Sequence, residues 1–274
     1  MIGPFLLLLA VGCVTGITTV MFGLGGGFIT VPAVYAAVAA TGGGPDGAQA
    51  MHTAVATSTA IMVVNASSAT VANARLGRLR RDYLWPITAF IAVGAALGAI
   101  AANWAPEALL HLLFVVYLAV TMVDSIVRKG FLSSSGGPAA GAPLSRSTST
   151  FGGIGIGAIA SFLGVGGSVM TVPLLRRKGV AMAEATALAN PLSLPIAIAG
   201  TVIYAFGAPA AAHPGQVGYV SLTAAAALLG GSLPTIALAK GILAGRRIPD
   251  RVHAVTYLIL LGIILIAMIA AMVG

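Results

Sequence analysis

The residues best placed to do chemistry in this chain are glycines and hydroxyls. Gly23-Leu24-Gly25-Gly26-Gly27-Phe28-Ile29-Thr30-Val31-Pro32 returns as Gly164-Val165-Gly166-Gly167-Ser168-Val169-Met170-Thr171-Val172-Pro173, with the two closing prolines 141 residues apart in a chain of 274. A glycine stretch that opens a helix presents backbone N–H groups with no intrahelical partner, and without a Cβ a ligand can come close to them. The helix dipole adds positive potential at the same point. Two such helix starts facing one another could hold an anion without any buried Lys or Arg, and no basic residue lies in the middle of an apolar stretch here. The candidate ligands are Gly25, Gly26, Gly27, Phe28 and Thr30 in the first copy, and Gly166, Gly167, Ser168 and Thr171 in the second. The stretch after each copy adds further polar groups: Thr53, Thr57 and Ser58 in one, Thr186, Asn190 and Ser193 in the other. The bland alternative is that the glycines serve close helix packing and the hydroxyls bond their own helices. Duplication of the cluster, with the same Thr-Val-Pro behind it both times, favours a site.

Other chemistry is thinly represented. His52 and His111 are the candidates for proton coupling, because an ionisable group at membrane depth is a functional candidate by default. Both stand close to expected helix ends, which favours a solvated position for them. The single cysteine, Cys13, can form no internal disulfide and no metal site. Its neighbours faintly resemble a lipoprotein cleavage site, but the preceding residues carry no positive charge, so the segment reads as a retained first membrane helix. The glycine clusters precede no βαβ unit, and Ser168 has no His or Asp around it in sequence, so neither a nucleotide fingerprint nor a hydrolase elbow is credible. No catalytic cluster, metal site or cofactor is expected, and the chain does not read as an enzyme.

The elements that must position these residues are membrane helices. The chain is 58% hydrophobic and 7% charged, against about a quarter charged in soluble domains. Long apolar runs reach or exceed the roughly 20 residues a helix needs to cross a bilayer. The net charge of +8 comes from short basic clusters between those runs, with no aromatic interleaving. That pattern is a topology signal and argues against nucleic acid as a partner. A Gly/Ser/Pro-rich linker, 128–149, separates a first repeat, 1–127, from a second, 150–274.

Each repeat reads as a glycine-broken segment followed by three helices: 4–40, 48–73, 83–103 and 106–127, then 150–175, 182–206, 216–239 and 249–272. The likeness extends past the glycines, since Thr53-Ala54-Val55-Ala56 matches Thr186-Ala187-Leu188-Ala189. Gly94 with Gly98, and Gly153 with Gly157, are pairs that permit close helix approach. The loops 41–50, 103–107 and 207–216 carry no Lys or Arg. If each broken segment folds back as a hairpin of two short helices, every Lys and Arg falls on the cytoplasmic side and both termini lie outside. As a single helix, residues 4–40 would measure about 55 Å, too long for a core of about 30 Å. The expected fold is therefore an all-α polytopic membrane protein of two inverted-topology repeats, about ten segments in all. Duplicated helix breaks of this kind mark the substrate site of secondary transporters. Composition is silent on assembly, and a homodimer is one arrangement it permits.

The paired glycine motifs and the basic loop after Asn73 resemble the TauE/SafE family of sulfite exporters and toluene sulfonate uptake permeases. The resemblance covers nearly the whole chain. It implies a multi-pass carrier in the bacterial inner membrane for a small sulfur-containing anion, such as sulfite or an organosulfonate like sulfoacetate, working by alternating access with a proton or cation as a possible coupling ion. It fixes neither the substrate nor the direction of transport. A passive anion channel of the same fold, a carrier for a non-sulfur anion, and a membrane-embedded enzyme or assembly factor remain rivals. Ser168 stands where the first motif has Gly27, so the two half-sites are not equivalent.

Overall fold

The computed structural model describes residues 2–23, 26–40, 49–75, 77, 79–127, 146–177, 180, 182–207, 215–243 and 250–273. Among them the chain is helical apart from one short β-hairpin. A chain this apolar must satisfy its backbone within each segment, and helices do so. The order is α1 (Ile2–Phe22), α2 (Gly27–Ala40), α3 (Ala50–Arg75), α4 (Arg81–Leu84), α5 (Ile87–Asn103), α6 (Glu107–Val127), α7 (Gly153–Phe162), α8 (Ser168–Arg177), α9 (Met182–Phe206), β1 (Gln216–Val217), β2 (Val220–Ser221), α10 (Leu222–Leu243) and α11 (Asp250–Val273). A π turn at Thr148–Gly152 leads into α7. Without the one-turn α4, ten helices remain, as the all-α reading expects. Six have the length and composition to cross a membrane, and Gly27–Ala40, Thr148–Phe162 and Val255–Ala271 are shorter apolar helices. Trp85 and Trp104 flank α5 and are 70% and 85% exposed, a placement suited to the two faces of a bilayer.

Three elements differ from the sequence reading. First, α1 is not short: its 21 residues extend about 32 Å, because nothing upstream of Gly23 breaks the apolar run. Second, 216–221 forms a hairpin in which Gln216 faces Ser221, so α10 begins only at Leu222. Gly215 and Gly218 hold positive φ there, and a Cβ on Gly218 would lie 2.3 Å from the Ala205 carbonyl. Third, residue 146 is already helical, while most of the expected linker, 128–145, lies outside the described residues.

Small residues set the packing, as they do where lipid removes the hydrophobic drive between helices. Helix α1 runs parallel to α10. A Cβ on Gly12 would lie 2.3 Å from the Leu228 carbonyl, and one on Gly16 2.6 Å from the Ser232 carbonyl. Helix α5 packs on α7 in the same manner, with Gly94 against Ile154, Gly98 against Ala158 and Gly157 against Ile91. The packing roles expected for Gly94, Gly98 and Gly157 are thus borne out. Helices α3 and α9 lie against each other at the centre.

Contacts gather the loops at two ends. At one end, His52 opens α3, reaches Glu107 at the start of α6 and Ala102 late in α5, and stacks on Tyr219 of the hairpin. Gly207, just past α9, packs on Asn103 at the same end. At the other end Arg80 pairs with Glu184, early in α9, at 3.5 Å. His111 of α6 meets the Met268 carbonyl, so the last turns of α11 stand beside the first turns of α6.

Candidate functional site

The two glycine turns meet at the centre of the molecule. Gly23 and Gly164 end α1 and α7 in the same left-handed conformation, φ 68 and 66 degrees, which glycine adopts without strain. Each is pressed onto the long central helix of the other half. A Cβ on Gly23 would lie 2.4 Å from the Thr186 carbonyl of α9, and one on Gly164 2.7 Å from Val55 Cα of α3. These contacts fall in the matched Thr-Ala-Val-Ala and Thr-Ala-Leu-Ala stretches. Past each turn the chain doubles back on the helix it has just left. Gly26 lies against Thr15 and Thr19 of α1, and Gly167 lies against Ile156 of α7.

The turns also touch one another. A Cβ on Gly27 would lie 2.8 Å from the Gly164 carbonyl and 3.1 Å from the Gly166 nitrogen. Ser58 of α3 ties them together: its hydroxyl donates to the Gly164 carbonyl at 2.7 Å and accepts from the Thr30 hydroxyl at 2.8 Å. Thr30 also lies within reach of the Gly26 and Gly27 carbonyls. One relay of hydroxyls therefore joins α2, α3 and the second turn.

From these turns α2 and α8 begin at Gly27 and Ser168, where the glycine stretches were expected to open helices. The first helical bonds match, Thr30 N–H to the Gly26 carbonyl at 3.2 Å and Thr171 N–H to the Gly167 carbonyl at 2.8 Å. Ile29 and Met170 N–H reach the same two carbonyls at 3.3 and 3.1 Å, and the N–H groups ahead of those have no acceptor within their helices. At the second start, Ser168 Oγ and Thr171 Oγ1 are buried with no hydrogen-bond partner in the protein, and in α9, which packs on α8, Asn190 Oδ1 is buried and unpaired too. Buried polar groups in proteins are nearly always satisfied, so two orphans in the first turn of α8 point to a ligand.

The remaining candidates divide. Thr57 is fully buried and accepts the Ser221 N–H at 2.9 Å, tying the hairpin to α3. Thr53 and Thr186 are buried on corresponding turns of α3 and α9. Ser193 bonds its own helix through the Ala189 carbonyl, the bland role. The Phe28 ring packs with Phe114 and Tyr117, leaving only its backbone to face a ligand. Gly25 lies outside the described residues.

The two histidines are buried, each 7% exposed, which corrects the solvated position expected for them. Tertiary neighbours cover them: Tyr219 stacks on His52 at 5.0 Å, and the Tyr35 ring stands edge-on to His111 at 4.8 Å. His52 Nδ1 lies 2.8 Å from Glu107 Oε2 and Nε2 lies 3.1 Å from the Ala102 carbonyl. The Met51 N–H donates to the other Glu107 oxygen. A carbonyl only accepts, so a hydrogen on Nε2 satisfies the Ala102 contact, and a hydrogen on Nδ1 or on the carboxyl satisfies the Glu107 contact. Burial, and after it the Glu107 carboxylate, raise the Tyr219 phenol above its ordinary range, so it stays neutral over this pair.

Sequence reasoning missed Glu107, Asn65, Thr15 and Ser232. Asn65 alone left a signal, being an amide in the middle of an apolar helix. Among the described residues no group of three or more His, Cys, Asp or Glu could hold a metal ion.

Searches of curated proteins and of solved structures gave no match. A scan against protein families matched sulfite exporter TauE/SafE over residues 8–272, nearly the whole chain. The resemblance carried by the paired glycine motifs is thereby borne out, and the protein belongs to the TauE/SafE sulfite exporter family of membrane transporters.

Proposed function

We propose that the protein is a secondary carrier that moves a small sulfur-containing oxyanion, sulfite or an organosulfonate such as sulfoacetate, across the bacterial inner membrane. The observation that carries this reading is the meeting of two glycine turns at the centre, each opening a helix toward buried polar groups that the protein leaves unpaired. The anion is held at the N-termini of α2 and α8 by backbone N–H groups of Gly26, Gly27, Phe28, Gly167 and Ser168, with Gly25 and Gly166 in the turns. Ser168, Thr171 and Asn190 supply side-chain hydrogen bonds. Thr30 and Thr57 set the geometry through Ser58 and the hairpin, and Thr53 and Thr186 line the first turns of α3 and α9. Dipoles and neutral donors suit a carrier, because they bind an anion without the depth of attraction that a buried Lys or Arg would add.

Transport follows by alternating access between two inverted repeats. Reciprocal packing supports this: α1 lies on α10 while α7 lies on α5, and α3 lies on α9. The direction of the hairpins supports it too. Helix α1 runs with α10, which starts at the end free of Lys and Arg, and the α2–α3 connection returns to that end at His52. Helices α5 and α7 both start from the basic end, and α8 leads back to it at Glu184. The orientation proposed has the basic loops in the cytoplasm and both termini in the periplasm. The coupling ion is a proton carried by His52 with Glu107, whose shared hydrogen sits at the mouth of the molecule between α3, α5 and α6. His111 is the second proton candidate, although a neutral ring satisfies its bond to Met268.

The test is uptake into proteoliposomes of sulfite, sulfate, thiosulfate, sulfoacetate, taurine and an aromatic sulfonate, with and without a pH gradient. Saturable uptake and counterflow of one sulfur oxyanion, abolished in Gly26→Leu/Gly167→Leu protein that still inserts, is the expected result. Conductance rising linearly with concentration would make the protein a channel. Unchanged flux in the double variant would remove the helix-terminus site.

A further inference from the structure

A second buried polar cluster, beside the first glycine turn, belongs to none of the roles above. Asn65 lies in α3 with 0% exposure. Ser232 Oγ of α10 donates to Asn65 Oδ1 at 2.9 Å, which fixes the amide plane. The other end of that amide, Nδ2, has no partner, and it lies 3.1 Å from the point where a side chain on Gly26 would begin. Thr15 of α1 borders the same point with its methyl at 2.5 Å, and its hydroxyl is also unpartnered with 0% exposure. Thr19 stands 3.7 Å away, but its hydroxyl is committed to the Thr15 carbonyl. Gly26 itself has φ 92 degrees, a conformation closed to ordinary side chains, and without a side chain the turn presses closely against Thr15 of α1 and Asn65 of α3. The next residue, Gly27, starts the 14-residue α2, whose leading N–H groups lack helical acceptors.

The chemistry of the cluster is one-sided. An unpaired amide NH2 and a helix start converge beside a residue whose own buried hydroxyl is unpaired, and none of the side chains bordering Gly26 is charged. Such a set satisfies an acceptor-rich ligand. A purely structural need for these groups would be expected in both halves. By the spacing of the repeats, Ile156 stands where Thr15 does and touches Gly167 as Thr15 touches Gly26. Ile198 stands where Asn65 does and is 51% exposed. The polar pair therefore exists once.

We propose that Asn65 and Thr15 complete the oxyanion site at the start of α2 in the first half of the protein, and that the Asn65 amide sets its preference for an anion with free oxygen acceptors. This rests on the reading that the substrate is an anion held at the glycine turns. It adds that the two half-sites differ in kind, the α2 side presenting donors fixed by a neighbouring helix. Ser232 is a positioning residue, because its hydroxyl bonds the Asn65 amide.

The experiment is sulfite uptake into proteoliposomes by full-length Asn65→Leu, Asn65→Asp, Thr15→Val and Ser232→Ala proteins, with Gly26→Leu/Gly167→Leu run beside them. Asn65→Leu should raise the KM for sulfite about tenfold or more, the loss expected when a hydrogen bond to a charged group is removed, with the maximal rate nearly preserved. Asn65→Asp, nearly the same shape but anionic, should abolish saturable uptake. Thr15→Val keeps the packing methyl and removes the hydroxyl, so it tests the site even if the Asn65 variants fail to fold, and its KM should rise severalfold. Ser232→Ala should give a smaller rise of the same sign. Sulfite KM values within twofold of the parent for Asn65→Leu and Thr15→Val would overturn the subsite, and the glycine variant separates the two failures. Uptake lost in that variant but normal at Asn65 and Thr15 would sink only this proposal. Uptake surviving in the glycine variant would sink the underlying reading.

Discussion

Ser58→Ala should loosen the contact between the two glycine turns. Ser58 supplies the hydrogen bond to the buried Gly164 carbonyl and is the acceptor for the Thr30 hydroxyl. Removing it orphans the carbonyl, a cost of about 1–3 kcal/mol. Thr30 is hurt less, because the Gly26 and Gly27 carbonyls stand 3.2 and 3.1 Å from its hydroxyl. Thr30→Val should accordingly cost under about 1 kcal/mol, since Ser58 keeps its bond to Gly164. The two changes remove one shared bond, so the double variant should be less destabilised than the sum of the singles by roughly 0.5–1.5 kcal/mol. A bias of 1–3 kcal/mol also shifts a two-state equilibrium by roughly 5- to 150-fold, enough to alter the access states of a carrier if only one of them holds the turns together. The assay is thermal melting of detergent-purified protein, followed by sulfite counterflow in proteoliposomes. A Ser58→Ala protein that melts with the parent and transports at the parent rate would refute the relay as the tie between turns.

Three further outcomes test the positions around that tie. Gly164→Ala and Gly77→Ala both place a side chain at positive φ, which costs about 1–2 kcal/mol. Only Gly164 also meets the α3 backbone, while Gly77 faces open space, so Gly164→Ala should melt far lower, and equal melting would refute the wedged turn. Glu107→Gln retains an acceptor for the Met51 N–H and a donor for His52 Nδ1 but removes the exchangeable proton. It should leave the fold intact and abolish stimulation of uptake by a pH gradient, whereas full stimulation would acquit the pair. In a Cys13→Ser background, cysteines at Trp104 and Gly215 should react with an impermeant thiol reagent from the periplasm and a cysteine at Gly77 only from the cytoplasm; any mixed pattern overturns the proposed orientation.

What could be read in advance follows from the range of the interaction involved. Backbone needs are local, so the glycine runs marked both helix starts to within a residue, and α9 spans 182–206 as read. The small-residue pairs Gly94–Gly98 and Gly153–Gly157 announced close packing but not their partners, and both turn out to lie in the one interface between α5 and α7. Length was less legible. Nothing in the sequence between Pro4 and Phe22 distinguishes a short half-helix from the 21-residue α1, because both are uniformly apolar. The hairpin at 216–221 was hidden because Val217, Tyr219 and Val220 continue an apolar run, while Gly215 and Gly218 matter through their φ values. His52 and Glu107 are 55 residues apart. Neither predicts the other, since a His near a helix start and a Glu after a proline each read as solvated alone.

The departure of the second motif from the first has a packing reason that also bears on mechanism. Gly27 has no side chain, and the space a side chain would fill holds the Gly164 carbonyl, the Gly166 nitrogen and the Ser58 hydroxyl. A residue other than glycine there would force the turns apart. A strict two-fold relation would require the same of position 168, yet Ser168 has a Cβ and is buried with its hydroxyl unpaired. The second turn must therefore stand off from Gly23 further than Gly27 stands off from Gly164. Repeats related by symmetry need not bind symmetrically, and a substrate with a single anionic group gains nothing from two identical ends. The Thr30–Ser58–Gly164 relay and the unpaired Asn65 amide lie on the first-half side, and the unpaired hydroxyls of Ser168 and Thr171 lie on the second. In the proposed reading, an oxyanion between them would meet an amide donor fixed by Ser232 on one face and rotatable hydroxyls on the other, and those hydroxyls could follow the anion if the two repeats move against each other.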